Sequence, residues 1–395
     1  MQIKIVFLLI NLQILYIIII EWRYKMKSGN YKTNLSGDLQ YKSFCPTNLK
    51  DLEFNTFDKH ITELLTKANF LLGKLNGISS SIIDMNQFIA AYVRKEALYS
   101  SQIEGTQATL EDILNAENEI SINADVEEVV NYVKALNYAV KLLDTYPICN
   151  RYIRMVHEVL MSEVRGQEKN PGHFRNSQNW IGHQGSTLKN ARYIPPTVED
   201  MHECMSELEK YINEETQIDD LIKIALIHYQ FETIHPFLDG NGRIGRMLIV
   251  LYLIACKKLK YPCLYISYYL KRNQFEYYSR MSDVRNKDDY IQWIEFFLIG
   301  IIEICDESIE CIQRLVSLRE KNKNIIKDND YWLLEYLEMN PIIDSKRTSE
   351  NLKIDYSKVN RTINRFVELG ILKITDPSKR KRTYSYIEYI EILKM

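Results

Sequence analysis

The residues 235–246 read His-Pro-Phe-Leu-Asp-Gly-Asn-Gly-Arg-Ile-Gly-Arg and gather most of the chain's chemical equipment in one place. An imidazole (His235), a carboxylate (Asp239), a glycine-rich corner (Gly240, Asn241, Gly242) and two guanidinium groups one helical turn apart (Arg243, Arg246) stand close together. These are the parts needed to grip a polyphosphate and move a proton beside it. An ordinary histidine titrates at about 6.5, so it can take a proton from an attacking hydroxyl near neutral pH. Glycines admit left-handed backbone and carry no Cβ, which lets main-chain N–H groups close on phosphate oxygens. Guanidinium forks match phosphate better than ammonium groups do. One carboxylate suits Mg²⁺, which fills the rest of its shell with water and phosphate oxygens.

The flanking sequence positions this loop. Leu221, Ile224, Ala225 and Phe231 predict an amphipathic helix over 221–231 that faces the core and is ended by Pro236. Helical spacing resumes at Ile244, Met247, Leu248 and Leu251, so the glycines sit at a helix N-terminus, where free N–H groups and the macrodipole favour anions. Arg243 and Arg246 should both face the ligand.

Taken singly, a Gly-Asn-Gly is an ordinary turn and a histidine before proline is ordinarily structural; the conjunction is what informs. The stretch resembles the signature of the Fic family (Fic and Doc proteins), His-x-Phe-x-(Asp/Glu)-Gly-Asn-Gly-Arg-x-x-Arg, filled at every specified position. The resemblance implies a nucleotidyltransferase that moves AMP from ATP to a Ser, Thr or Tyr hydroxyl of a protein target, itself included, and releases pyrophosphate. It implies His235 as the base, Asp239 as the Mg²⁺ ligand, and Asn241 with the Gly240 and Gly242 amides around the α-phosphate. Arg243 would bind near the β-phosphate and Arg246 at the γ-phosphate. Such chemistry depends on positioning and charge neutralisation more than on covalent catalysis.

Residues 100–105 read Ser-Ser-Gln-Ile-Glu-Gly and resemble the same family's inhibitory pattern, (Ser/Thr)-x-x-x-Glu-(Gly/Asn), with Ser100 and Glu104 in the two key places. Asp84 can cap a helix over 85–103, and Gly105 is a fitting stop. A glutamate at a helix C-terminus opposes the dipole and calls for a cationic partner. The resemblance makes that partner Arg246, and pairing would occupy the place of the γ-phosphate. The order, inhibitor before motif, is that of the class with an N-terminal inhibitory helix.

Two further segments join the resemblance. Short runs of β-formers around Gly185 and Ser186, within 171–196, predict a hairpin. It resembles the family's flap, whose edge would hold the target segment by strand addition, with an ordinary surface hairpin as the alternative. Residues 271–280 place Asn273, Tyr277 and Tyr278 where relatives line the nucleotide base. The chain has 27 tyrosines, so helix core is the alternative there.

Composition bounds the rest. With 395 residues, 46% hydrophobic, the chain can bury a sizeable core and carry more than one domain. A formal net charge of −2 argues against bulk attraction to nucleic acid or an anionic membrane. Seven scattered cysteines without a Cys-x-x-Cys pair indicate neither a zinc site nor a disulfide framework, and point to a reducing, cytoplasmic setting. Residues 3–20 are almost wholly apolar, long enough for a membrane anchor, with Arg23, Lys25 and Lys27 following. The favoured reading is instead a true start at Met26, with 1–25 a mis-assigned extension and no membrane role.

The helical pattern recurs nearly throughout, capped by Asp58, by Thr109 with Asp112, by Asp125, and by Thr197 with Asp200. A long helix from Asp288 runs toward Leu318, and the charged stretch 321–330 marks a domain boundary. Beyond it, three short helices and two strands over 371–375 and 383–387 predict a winged helix over 331–395. Its third helix would expose Ser357, Lys358, Asn360, Arg361, Asn364 and Arg365, with a basic wing at Lys379, Arg380, Lys381 and Arg382, which makes DNA a candidate partner. The expected fold is mainly α: a Fic-type helical bundle with a β-hairpin flap, made of an N-terminal region (26–125) with the inhibitory helix, a catalytic core (126–320) and the winged helix. The expected function is an adenylyltransferase autoinhibited by Glu104. The alternatives are a DNA-binding regulator that senses nucleotide and an enzyme that removes AMP from targets, and the homodimer remains open.

Overall fold

The computed structural model describes residues 26–54, 57–81, 85–115, 123–162, 164, 168–183, 185–376 and 382–394. The apolar stretch at 3–20, the proposed cap Asp84, and Lys379, Arg380 and Lys381 of the wing lie outside them. Among the described residues no helix is long and apolar enough to cross a membrane.

The chain opens with a hairpin of strands β1 (Gly29–Asn34) and β2 (Tyr41–Pro46), paired antiparallel from Gly29 with Pro46 to Asn34 with Tyr41. The sequence reading did not foresee it, because only Phe44 is strongly apolar on its inward face. Helices α1 (Lys59–Ser81), α2 (Met85–Ile103), α3 (Leu110–Asn115), α4 (Ala124–Leu142) and α5 (Asn150–Leu160) follow. After a long irregular segment come α6 (Val198–Asn213), α7 (Asp220–Ile234), α8 (Asn241–Ala255), α9 (Ser267–Arg272), α10 (Gln274–Lys287) and α11 (Tyr290–Lys323). The C-terminal part holds α12 (Tyr331–Met339), β3 (Ile342–Asp344), α13 (Ser345–Leu352), α14 (Tyr356–Glu368), β4 (Lys373–Asp376), β5 (Thr383–Ser385) and α15 (Ile387–Lys394). Its three strands form an antiparallel sheet in the order β3, β5, β4.

Local chemistry explains many of the helix starts. Asp58 Oδ1 accepts from Ile61 N at 2.8 Å, and Thr109 and Asp112 exchange bonds in the expected capping box. Thr197 Oγ1 accepts from Asp200 N at 3.2 Å. One expected cap is corrected. Asn123, not Asp125, caps α4 by accepting from Val126 N at 2.9 Å, while Asp125 accepts from Gln107 N at 2.8 Å and ties the α2–α3 connection to α4.

The helix expected over 221–231 extends to Ile234 and is not amphipathic. Every residue from Leu221 to Ile234 is buried, because α7 is the central rod, packed against α6, α8, α11 and β2. Trp293 of α11 donates from its ring nitrogen to Ala225 O at 2.8 Å. The flap also differs from its expectation. A single antiparallel bridge joins Ile181 and Tyr193, with N···O distances of 2.8 and 3.0 Å, and among the described residues of the segment no longer strands form. The β1–β2 hairpin instead braces this segment, Phe44 N donating to Ile194 O at 2.9 Å.

Helix α2 lies between the motif helix and the C-terminal part. Arg94 of α2 donates to Met339 O of α12 at 2.6 Å, and Phe88 of α2 lies 4.6 Å from the guanidinium of Arg319. Arg319 of α11 forms a buried ion pair with Glu338 of α12. Helix α15, absent from the sequence reading, closes the seam: Tyr389 Oη donates to Glu338 O at 2.9 Å and Lys394 pairs with Glu111 at 2.5 Å. Two residues of the expected DNA face of α14 are occupied within the protein. Arg365 pairs with Asp330 at 3.1 Å, and Asn360 Oδ1 accepts from Ser345 Oγ at 3.3 Å.

Candidate active site

Helix α7 ends at Ile234 and the chain turns sharply, His235 adopting a left-handed φ of 52° as its C-cap. The ring is held by its backbone neighbour: Nδ1–H faces Glu232 O at 3.3 Å, which leaves the Nε2 lone pair free to accept a proton. Burial pushes the imidazole down to about 4 from an ordinary 6.5. The expectation of a group titrating near neutrality is therefore corrected. His235 is uncharged over the whole neutral range.

The loop after it is braced from within. The side chain of Asn241 accepts from Phe237 N and donates to Phe237 O, both at 2.8 Å. Its carboxamide thus shapes the loop. Helix α8 begins immediately after Gly240, and its first-turn N–H groups, at Asn241, Gly242 and Arg243, have no preceding helical carbonyls to pair with. The anion-receptive helix N-terminus expected from the sequence is present in this form.

Residues far from the motif fix the loop from outside, and sequence reasoning assigned none of them this part. Arg175, fully buried, donates to His235 O at 3.1 Å and to Pro196 O at 2.5 Å. Asn179 donates to Phe237 O at 3.0 Å. His157 stacks on Phe237 at 3.7 Å and donates from Nε2 to Asp239 O at 3.0 Å, while its Nδ1 accepts from Gly172 N at 2.9 Å. Burial pushes His157 down to about 4, which keeps it neutral and able to accept that bond. A lone histidine on a helix carries no local signal that would single it out for this.

A cavity of about 420 Å³ opens beside the loop, lined by His235, Gly242, Arg246, Glu104, Glu232 and Tyr278, with Trp180, Ile181, Arg192 and Tyr193 of the flap and Arg285 of α10 on its other walls. Arg246 is buried, and the end of α2 takes up its guanidinium. Nη2 pairs with Glu104 Oε1 at 2.5 Å and donates to Ser100 O at 3.0 Å, and Nε donates to Ser100 Oγ at 2.9 Å. Burial alone would lower its affinity for a proton; the Glu104 charge outweighs this and holds the group firmly cationic. The carboxylate lies close against the helix here, and a Cβ on Gly242 would displace it.

The remaining predicted residues fall elsewhere. Asp239 is not among the residues that line the cavity; its Oδ2 is paired with Lys169 at 2.8 Å and its Oδ1 accepts from Gly240 N at 2.6 Å. Burial raises its proton affinity, and Lys169 and Arg243 more than reverse that, so it stays ionised. Arg243 lies below it, 3.5 Å from Asp239 and 3.9 Å from Glu128, with Nε and Nη1 making no hydrogen bond. Tyr278 lines the cavity, whereas Tyr277 does not: its hydroxyl is bonded to His228 Nε2 at 2.9 Å in the core. Asn273 donates to Tyr269 O at 3.0 Å at the α9–α10 junction and is no part of the cavity wall.

The fold and the loop define a mainly helical protein with an anion-receptive helix N-terminus and a neutral histidine beside it. The model of the Fic/DOC family N-terminal region matches residues 62–141, and that of the Fic/DOC family matches residues 147–253; the chain belongs to this family. It is similar to a Protein adenylyltransferase Fic of Drosophila mojavensis, 25% identical over 271 residues that cover 65% of this chain and 50% of that protein. The corresponding protein of Drosophila erecta is 27% identical over 216 residues, 51% of this chain and 40% of the other. The chain thus spans about half the length of the curated relatives it matches. Among solved structures, a Fic family protein from Desulfovibrio desulfuricans G20 shares the fold with a TM-score of 0.55 at 19% identity, over 84% of this chain and 97% of that one.

Proposed function

We propose that the protein is an adenylyltransferase that moves AMP from ATP to a Ser, Thr or Tyr hydroxyl of a protein target, and that Glu104 restrains it. The observation that carries the reading is the meeting, in one cavity, of a neutral His235 with an open Nε2, the N-terminal turn of α8, and an Arg246 already bound to an anionic side chain. In the reaction, His235 Nε2 takes the hydroxyl proton as the oxygen bonds to the α-phosphorus. The bond from that phosphorus to the bridging oxygen breaks, and pyrophosphate leaves. Arg246 would bind the γ-phosphate, which requires that Glu104 vacate it.

A metal fits at Asp239. Its carboxylate is ionised and partly exposed, and no group of three or more acidic, histidine or cysteine side chains that could hold an ion stands among the described residues. A single carboxylate is what Mg²⁺ takes when phosphates and water complete its shell, and when bound it would neutralise phosphate charge. Lys169 must then release Oδ2. Nε and Nη1 of Arg243, which make no hydrogen bond, support a place near the β-phosphate side of the same loop.

Glu104→Gly should raise self-modification and target modification on the order of 10²-fold, the scale on which small misplacements of reacting atoms cost rate. Adding Arg246→Ala should cancel much of the gain, and adding His235→Ala should abolish transfer while ATP still binds. Transfer is read with ATP labelled on the α-phosphate. A folded Glu104→Gly protein no faster than wild type would defeat the inhibitory role and leave AMP removal, with Glu104 orienting a water, as the reading to test.

A second reading, DNA contact by a winged helix formed by the C-terminal part, is favoured by the exposed Ser357, Lys358, Arg361 and Asn364 on one side of α14. The two readings are compatible, since α14 lies outside the cavity.

A further inference from the structure

Glu232 is an ionisable group in the cavity for which AMP transfer supplies no task. It is 8% exposed, lines the same cavity as His235 and Arg246, and its Oε1 makes no hydrogen bond. Helix α8 makes room for it as it does for Glu104: a Cβ on Gly245 would collide with the Glu232 carboxylate just as one on Gly242 would with Glu104. Two carboxylates, one from α2 and one from α7, therefore rest against the same face of α8, with Arg246 beside both. Glu104 holds the arginine directly.

The groups around Glu232 are unequal in their effects. Arg246 from α8 and Arg285 from α10 favour its anion, whereas Glu104 from the end of α2 opposes it. Tyr277 and Tyr278 of α10 lie near enough to feel its charge, and His235 follows it in the chain by three positions. Burial is the largest influence and, with the Glu104 charge, pushes the carboxyl up to about 7.

We propose that Glu232 is a positioning residue for the nucleotide that works as the neutral acid: when a triphosphate replaces Glu104 beside Arg246, Glu232 takes a proton from solvent and faces the phosphates as an O–H donor. The inference rests on the adenylyltransferase reading. A triphosphate brings more negative charge to Arg246 than the single carboxylate it displaces, so an ionised Glu232 would become a buried anion beside an anion. The protonated carboxyl removes that repulsion and supplies the cavity with a donor.

The test counts protons. The full chain carrying Glu104→Gly is titrated calorimetrically with α,β-methylene-ATP and Mg²⁺ in two buffers of different ionisation enthalpy. At about pH 8, uptake should approach one proton per nucleotide, and it should shrink toward zero as the pH falls below the point at which free Glu232 is already neutral. Affinity should weaken roughly tenfold per pH unit above the point at which free Glu232 ionises, which the loss of the Glu104 charge moves below about 7. Adding Glu232→Gln should remove both the uptake and the pH dependence, while adding His235→Ala should leave both in place. Nucleotide binding without proton uptake overturns the inference, as does uptake that survives Glu232→Gln and disappears with His235→Ala. Should Glu232→Gln fail to fold, the uptake and its pH dependence in Glu104→Gly, with and without His235→Ala, still decide. No binding of the nucleotide at all would instead overturn the adenylyltransferase reading on which the inference stands.

Discussion

The base role proposed for His235 needs a neutral ring, and the protein keeps it neutral. Its depressed value, about 4, means that acid protonates it far below the range in which a free histidine would be lost. For the Glu104→Gly protein, kcat/KM at about pH 5.5 should therefore retain the full contribution of the base, whereas a histidine at its ordinary value would have cost about tenfold there. A pH profile whose acid limb lies near 6.5 would show that the ring is solvated in the free enzyme. The place of His235 in a candidate site was legible from twelve contiguous residues, but its neutrality was not. Burial of the ring depends on the flap and on the Arg175 bonds to His235 O and Pro196 O, which join parts of the chain that no local pattern connects. The same distance hid His157, whose bond to Asp239 spans 82 positions. Motif spacing also placed Arg243 and Arg246 together toward a ligand, whereas the folded loop puts only Arg246 on the cavity.

Elements were legible where their determinants are local. Caps such as Asp58, Thr109 and Thr197 act within three residues, so their helices begin where the sequence says. Amphipathicity failed for α7 because a helix enclosed on all sides has no polar face to display. The β1–β2 hairpin and α15 were missed because tertiary partners, Ile194 for one and α11 for the other, supply what their short sequences lack. Space around helical glycines follows the same division and yields a test. Gly73 and Gly77 of α1 have nothing within 4 Å of a built Cβ, while one on Gly300 of α11 would run into the Tyr269 ring. Alanine should thus stabilise the protein by about 0.5–1 kcal/mol at each α1 position, through lower unfolded-state entropy. Gly300→Ala should do the reverse, because overpacking costs about 1–3 kcal/mol and exceeds that gain. Thermal unfolding reads the sign, and a rise in melting temperature for Gly300→Ala would show that Tyr269 yields freely.

At the scale of the whole molecule, the C-terminal part is seated on the helix whose C-terminal end places Glu104 against Arg246. The buried Arg319–Glu338 pair, the Arg94 bond to Met339 O and the Lys394–Glu111 pair all cross the seam, while the other end of α2 is fastened to Arg246. This packing leaves the exposed side of α14 facing outward. A net charge of −2 for the chain gives no general attraction to nucleic acid, so any DNA binding must come from local charge. Lys358 and Arg361 are the exposed cations of α14, whereas Arg365 is paired with Asp330. If α14 enters a DNA groove, the full chain should retard duplex DNA at low salt, and affinity should fall as salt rises, in proportion to the phosphates neutralised. Lys358→Ala with Arg361→Ala should weaken that binding about tenfold or more, since two cationic contacts are lost. Arg365→Ala should affect thermal stability more than DNA affinity, because its partner Asp330 is buried. Retardation unaffected by the Lys358 and Arg361 changes would move the contact away from α14, and no retardation of any duplex at low salt would leave this surface to protein partners.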